Sequence, residues 1–214
     1  MQSMSYTCGQ FEPLPDESLF SIVCRYHKRS GSTYFFMTRN KIFGCDIRKK
    51  IKGNIDYFLK GIRLDTVSSK IEYLRKTTLI SYRFRESDSE MCCYSELKHK
   101  RNFSLLVHYM LTSDARQRFC IDCLKDDIYR YGVSYWHRAH MLKHIKLCHI
   151  HGTILWEPNT LGYIGVMELS SVVMLPSDYI AIHDGAVQIN MDQSTKNMEM
   201  EKRIADRIFK VYCN

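Results

Sequence analysis

Two short ligand-bearing pairs, Cys120-Ile121-Asp122-Cys123 and Cys148-His149-Ile150-His151, stand 24 residues apart in this chain. Two residues between ligands let a tight turn present both side chains to one ion, and two such turns supply the four donors of a closed tetrahedral site. Zinc is the expected cofactor, as one structural ion held by Cys120, Cys123, Cys148 and His151. His149 directly follows Cys148 and would need a strained bite. His151 repeats the spacing of the first pair and precedes Gly152, which can turn the chain at positive φ. Nine cysteines is an odd number, so a complete disulfide framework within one chain is excluded.

Three thiolates and an imidazole fill the coordination sphere of Zn2+ and leave a net charge of about −1, whereas a catalytic zinc keeps a position open. A zinc deaminase would carry His-x-Glu upstream of the first pair. None of the nine histidines has Glu two residues later, and the chain is read as non-enzymatic. Cys8, Cys24, Cys45 and Cys213 are scattered singly and read as small hydrophobes or idle thiols. Cys92 and Cys93 are adjacent and take no assignment. His137, His140 and His144 follow a helical spacing between the pairs and read as half-buried packing beside the metal.

The formal net charge is +8, but residues 1–150 carry +11 and residues 151–214 carry −3, so a polyanion would meet the first part. That part reads as helical. Leu14-Pro15-Asp16-Glu17-Ser18 starts a helix, with Asp16 or a neighbour as cap. Leu19, Phe20, Val23 and Tyr26 would face inward, Arg25, Lys28 and Arg29 outward, and Gly31 would stop the helix. Ser32 would cap a second helix running to about Thr38. Residues 54–76 predict two short helices around Gly61, the second started by Thr66 or Ser68 and turning Val67, Ile71 and Leu74 inward, with Ser69, Lys70, Tyr73 and Arg75 outward. Such a pair is compatible with a helix-turn-helix whose second helix enters a major groove. Lys70, Arg75, Arg83 and Arg85 are the candidate DNA contacts, with Arg48, Lys49, Lys50 and Lys52 as a flanking basic run.

Residues 153–190 predict short strands and turns, and a final helix near 194–212 would turn Met198, Ile204, Ile208 and Val211 inward. The expected fold class is α+β: a helical, helix-turn-helix-like region over 1–115 and a zinc-ribbon-like region over 116–214 closed by the last helix. No apolar run spans a membrane and no signal peptide is recognised, so a cytoplasmic protein is expected.

Leu14-Pro15-Asp16-Glu17-Ser18-Leu19 with Arg25, then Thr77-Thr78-Leu79-Ile80, and above all Cys120 to Leu155 with Arg130-Tyr131-Gly132, Tyr135-Trp136 and Cys148-x2-His151-Gly152, resemble the TniQ/TnsD family of transposition target-selection proteins. The resemblance covers about residues 11–156. Ile121 replaces the usual proline of the first pair, and 157–190 lacks cysteines for the second zinc knuckle of many members. The resemblance implies a short TniQ-like adaptor. Its partners would be a TnsC-like AAA+ transposition regulator, target DNA, a CRISPR effector complex with guide RNA, or a second copy in a homodimer. The competing expectation is a zinc-containing helix-turn-helix regulator that reads DNA sequence by itself.

Overall fold

The computed structural model describes residues 11–44, 55–79, 117–142, 145–159, 175–181, 185–189 and 198–212. Among these, seven α-helices and one two-stranded antiparallel sheet form an α+β fold: α1 Leu19–Ser30, α2 Phe35–Phe43, α3 Ile55–Gly61, α4 Val67–Thr77, α5 Ile121–Tyr131, α6 Pro176–Ile180, α7 Met198–Tyr212, β1 Trp156–Pro158 and β2 Ala186–Gln188. None of the described helices is long and apolar enough to cross a membrane.

Ser18 caps α1, its hydroxyl accepting the Ser21 N–H at 3.2 Å, and Gly31 ends the helix. Asp16 is the neighbour that does not cap: it sits at φ 56° and turns its carboxylate elsewhere. Every residue from Leu19 to His27 is buried, including Arg25, which was expected outside. The reason is a counter-charge in the preceding turn. Glu17 Oε1 and Oε2 each accept from the Arg25 guanidinium at 2.8 Å, and Oε2 also accepts the Leu14 N–H at 3.0 Å.

The second helix starts at Phe35 and reaches Phe43, later than expected at both ends. Ser32 turns its hydroxyl toward the Tyr34 carbonyl instead of capping. Gly44 ends α2 at φ 68°, where a Cβ would lie 2.7 Å from Tyr57 Cγ, so only glycine fits. In α4 the Thr66 cap is as expected, its hydroxyl accepting the Ser69 N–H at 3.1 Å. Its inward face is as expected in part: Leu74 is buried and Ile71 packs partly buried on the core, but Lys70 and Thr77 are buried too and Val67 is exposed. Lys70 turns inward because Asp56 of α3 waits there, 2.7 Å from the ammonium.

The segment before α1 also clasps a distant stretch of chain. Ser18 N–H donates to the Trp136 carbonyl and Arg138 N–H to the Asp16 carbonyl, both at 2.9 Å, making an antiparallel bridge between Glu17 and His137. The Asp16 carboxylate pairs with Arg138 Nε at 3.0 Å and accepts the Ala139 N–H at 3.0 Å. Arg138 also donates to the Arg75 carbonyl at the end of α4. One apolar cluster consequently joins Phe11, Ile22, Phe43 and Phe58 to Phe119, Trp136 and Leu155. The expected boundary at 115/116 lies outside the described residues.

The strands pair with Trp156 opposite Gln188 and Pro158 opposite Ala186. The last helix begins at Met198, and its buried position is Ala205, with Ile208 partly buried; Met198 and Ile204 are exposed, against expectation. Packing on the metal region chose that stripe: Lys202 lies against Gly152, and Phe209 stacks on His149 with ring centroids 4.0 Å apart. The Val211 side chain lies outside the described residues.

Candidate metal centre

Phe119 exchanges both backbone hydrogen bonds with Trp156, at 2.8 and 2.9 Å, so the chain enters the first pair extended and at a set depth. Cys120 is then the residue preceding α5, and Cys123 lies in the first turn. A helix start thus presents the first two donors, where sequence reasoning expected a free tight turn, and its N-terminal dipole favours thiolates. The second pair sits on a reverse turn: Gly152 N–H donates to the Cys148 carbonyl at 2.8 Å and Cys148 N–H to the Thr153 carbonyl at 2.9 Å. Gly152 adopts φ 68°, the conformation anticipated for it.

These two pieces bring Cys120, Cys123, Cys148 and His151 together, all donor atoms within 4.8 Å of one another. His151 Nδ1 lies 3.6, 3.3 and 3.7 Å from the sulfurs of Cys120, Cys123 and Cys148, and the Cys123 and Cys148 sulfurs are 3.5 Å apart. A tetrahedron with metal–sulfur bonds of about 2.3 Å and metal–nitrogen bonds of about 2.0–2.1 Å has edges of about 3.8 and 3.6 Å. The donor set is therefore spaced to hold a tetrahedral ion, and it is buried apart from the edge of the His151 ring.

Three buried thiols this close do not ionise independently. Hydrogen bonds from Cys123 and Cys148 hold the Cys120 thiol far below its ordinary range. Their counterparts push Cys123 far up and Cys148 up to about 11, with burial adding to both. Three thiolates require a cation among them. The neighbouring groups suit thiolates: Thr153 Oγ1 is 3.2 Å from Cys120 Sγ and the His151 N–H is 3.4 Å from Cys148 Sγ. Asp126 lies 3.4 Å from His151 Nε2, across the ring from the Nδ1 that faces the sulfurs. Sequence reasoning missed Asp126, although it follows Cys123 by one helical turn.

His140, Cys148 and His149 form a second, overlapping group of donors. The expected helix through the histidines is a single 3-10 turn at Ala139–Met141, and His144 lies outside the described residues. His137 and His140 are buried, not half-buried. Asp127 accounts for the first, its carboxylate 2.9 Å from His137 Nε2.

Burial disfavours the His137 cation, but the hydrogen bond and charge of Asp127, with Asp16 behind it, prevail and raise its pKa. A raised folded-state pKa gives stability fully present below about pH 6.5, the ordinary histidine value, and lost as pH rises through the higher folded value. Asp127→Asn should therefore cost more stability at pH 6 than at pH 9 in denaturant titrations. Equal costs at both values would refute the charged pair.

Of the candidate DNA contacts, Lys70 is buried on Asp56 and Arg75 is exposed near the end of α4; Arg83 and Arg85 lie outside the described residues, as do Cys92 and Cys93. Cys24 is fully buried, as expected, while Cys8, Cys45 and Cys213 lie outside the described residues. The TniQ family model matches residues 10–155, which takes in α1 to α5, the clasp and all four clustered donors. No curated protein and no solved structure matches the chain.

Proposed function

This chain belongs to the TniQ family, whose members are non-catalytic adaptors for transposition target selection, and on that premise we propose that it links target DNA, or a CRISPR effector complex with guide RNA, to a TnsC-like AAA+ regulator in the bacterial cytoplasm. In this reading Cys120, Cys123, Cys148 and His151 hold one structural zinc. The observation that carries the adaptor reading is the family match together with the closed donor set it spans: four protein donors fill a tetrahedral sphere and leave no position for substrate. When bound, zinc supplies cohesion and no chemistry. The protein residues do the remaining work, with the clasp of Asp16 on Arg138 and Ala139 joining the α1 region to the metal region.

The test is size-exclusion chromatography of the purified chain with an AAA+ transposition regulator and, separately, with a CRISPR effector complex. Co-elution with the regulator supports the adaptor. No association with either, combined with tight, sequence-selective DNA binding by the chain alone, would overturn it in favour of the autonomous regulator.

Among the candidate DNA contacts, Lys70 is set apart by its burial on Asp56. Arg75→Glu, Arg83→Glu and Arg85→Glu are each expected to weaken DNA binding across all sequences and to lower the salt slope by about one. Lys70→Glu should instead lower thermal stability, because it sets a second carboxylate against Asp56. Filter binding over a salt series with matched melting curves checks both. Unchanged affinity and slope in the three arginine variants would remove them from the DNA surface.

A further inference from the structure

The thiolates of the centre are not equally supported by the protein. Cys120 receives the Thr153 hydroxyl and the Cys123 backbone N–H. Cys148 receives the His151 backbone N–H. For Cys123, the polar side chain beside it among the described residues, other than its co-ligands, is the His140 ring, whose Nε2 lies 4.0 Å from Cys123 Sγ, at the long end of N–H···S reach. His140 is completely buried, and its Nδ1 has no hydrogen-bond partner among the described residues.

We propose that His140 is a positioning residue of the metal centre, held as the neutral Nε2–H tautomer and donating that hydrogen to the Cys123 thiolate. The proposal rests on the zinc reading above and extends it to a residue outside the ligand set. The tautomer follows from polar satisfaction. A hydrogen on Nδ1 would bury an orphan donor and aim the Nε2 lone pair at an anionic sulfur. A hydrogen on Nε2 leaves only an acceptor lone pair unmatched, the less costly of the two. Donation to a thiolate spreads its charge and favours the deprotonated sulfur over the thiol, the form that metal binding requires.

The ring is placed by the amino-terminal segment. His140 is the middle residue of the Ala139–Met141 turn, whose first N–H is taken by the Asp16 carboxylate while Arg138 N–H is taken by the Asp16 carbonyl. The His137 ring lies beside it at a centroid distance of 5.0 Å. Asp16, far away in sequence, thereby sets the position of a donor to the metal centre. This assigns His140 a role beyond packing and connects the Leu14 to Leu19 segment to metal retention.

The test uses the full zinc-loaded chain. In long-range 15N–1H spectra of the wild type, the histidine whose signals vanish in His140→Gln should show protonated Nε2 and unprotonated Nδ1, the pattern also expected of metal-bound His151. Zinc transfer to the chelator 4-(2-pyridylazo)resorcinol should show affinity about 10- to 100-fold weaker in His140→Phe, which removes the donor. His140→Gln, whose amide nitrogen mimics Nε2, should recover most of that loss. The thiolate-to-cobalt charge-transfer band of Co2+-substituted protein should move in the Phe variant and not in the Gln variant.

An Nδ1–H tautomer, or equal affinities in all three proteins, or equal losses in both variants, would overturn the proposal. Two zinc ions in the wild type, one of them lost from both variants, would also overturn it, making His140 a ligand with Cys148 and His149. Should His140→Phe fail to fold, the wild-type tautomer still decides. Wild-type protein that binds no zinc would sink the metal reading itself, whereas zinc-bound wild type with the adverse results above sinks only the role of His140.

Discussion

Cys120→Ser and Cys148→Ser are each expected to give protein with little or no bound zinc and no cooperative melting transition. Serine keeps the size of the side chain but supplies no thiolate, so a tetrahedral site loses a quarter of its donors. Apparent zinc binding in small structural sites contributes about 10–16 kcal/mol, comparable to or larger than the total stability of a domain, about 5–15 kcal/mol. The loss should not stay local. The Phe119–Trp156 bridge and the Leu147–Ile154 bridge flank the two ligand pairs and feed the strand β1. Metal analysis with circular-dichroism melting checks this. Native-like melting of a metal-free variant would refute the structural role.

The second large effect is expected at Glu17. Its carboxylate is inaccessible to water and accepts two hydrogen bonds from Arg25 and one from the Leu14 backbone. Arg25 also donates to the Glu12 carbonyl at 2.9 Å, so the pair ties the chain before α1 onto the helix. Glu17→Ala strands a buried guanidinium, and breaking such a pair from one side costs about 3–5 kcal/mol. Replacing both residues together, as Glu17→Leu with Arg25→Met, removes both charges and should restore a substantial part of that loss. Urea titrations of the single and double variants measure it. A single-variant cost under about 0.5 kcal/mol, the range of ordinary surface changes, would refute the assignment.

Both effects concern residues visible in the sequence, but they were legible to different degrees. The clustering of Cys120, Cys123, Cys148 and His151 could be anticipated because a two-residue spacing is a local constraint that a short stretch of chain satisfies by itself. Gly31 and Gly152 were legible for the same reason, as ends and turns that need positive φ. Arg25 and Lys70 were misplaced outward because a basic side chain normally seeks water. Each goes inside here only because a carboxylate, Glu17 or Asp56, is already there. The Glu17 partner lies in the turn before α1 and the Asp56 partner in the preceding helix. The last helix illustrates another ambiguity. It has apolar residues on more than one side, and contact of Phe209 with His149 and of Lys202 with Gly152 selected which side faces in.

From sequence alone came the α+β class, the four residues whose donor atoms cluster, the family resemblance and the basic bias of the first 150 residues. Each rests on residue type or on spacing within a few turns of chain. Tertiary structure decided that Asp16 and Glu17 act as two halves of a clasp, one on Arg138 and one on Arg25, and that His137 and His140 lie buried. The physical reason is that a buried polar group is tolerable only beside its partner. For Asp16 and Arg138 that partner is brought by the fold from the other end of the matched region, and no local pattern announces it.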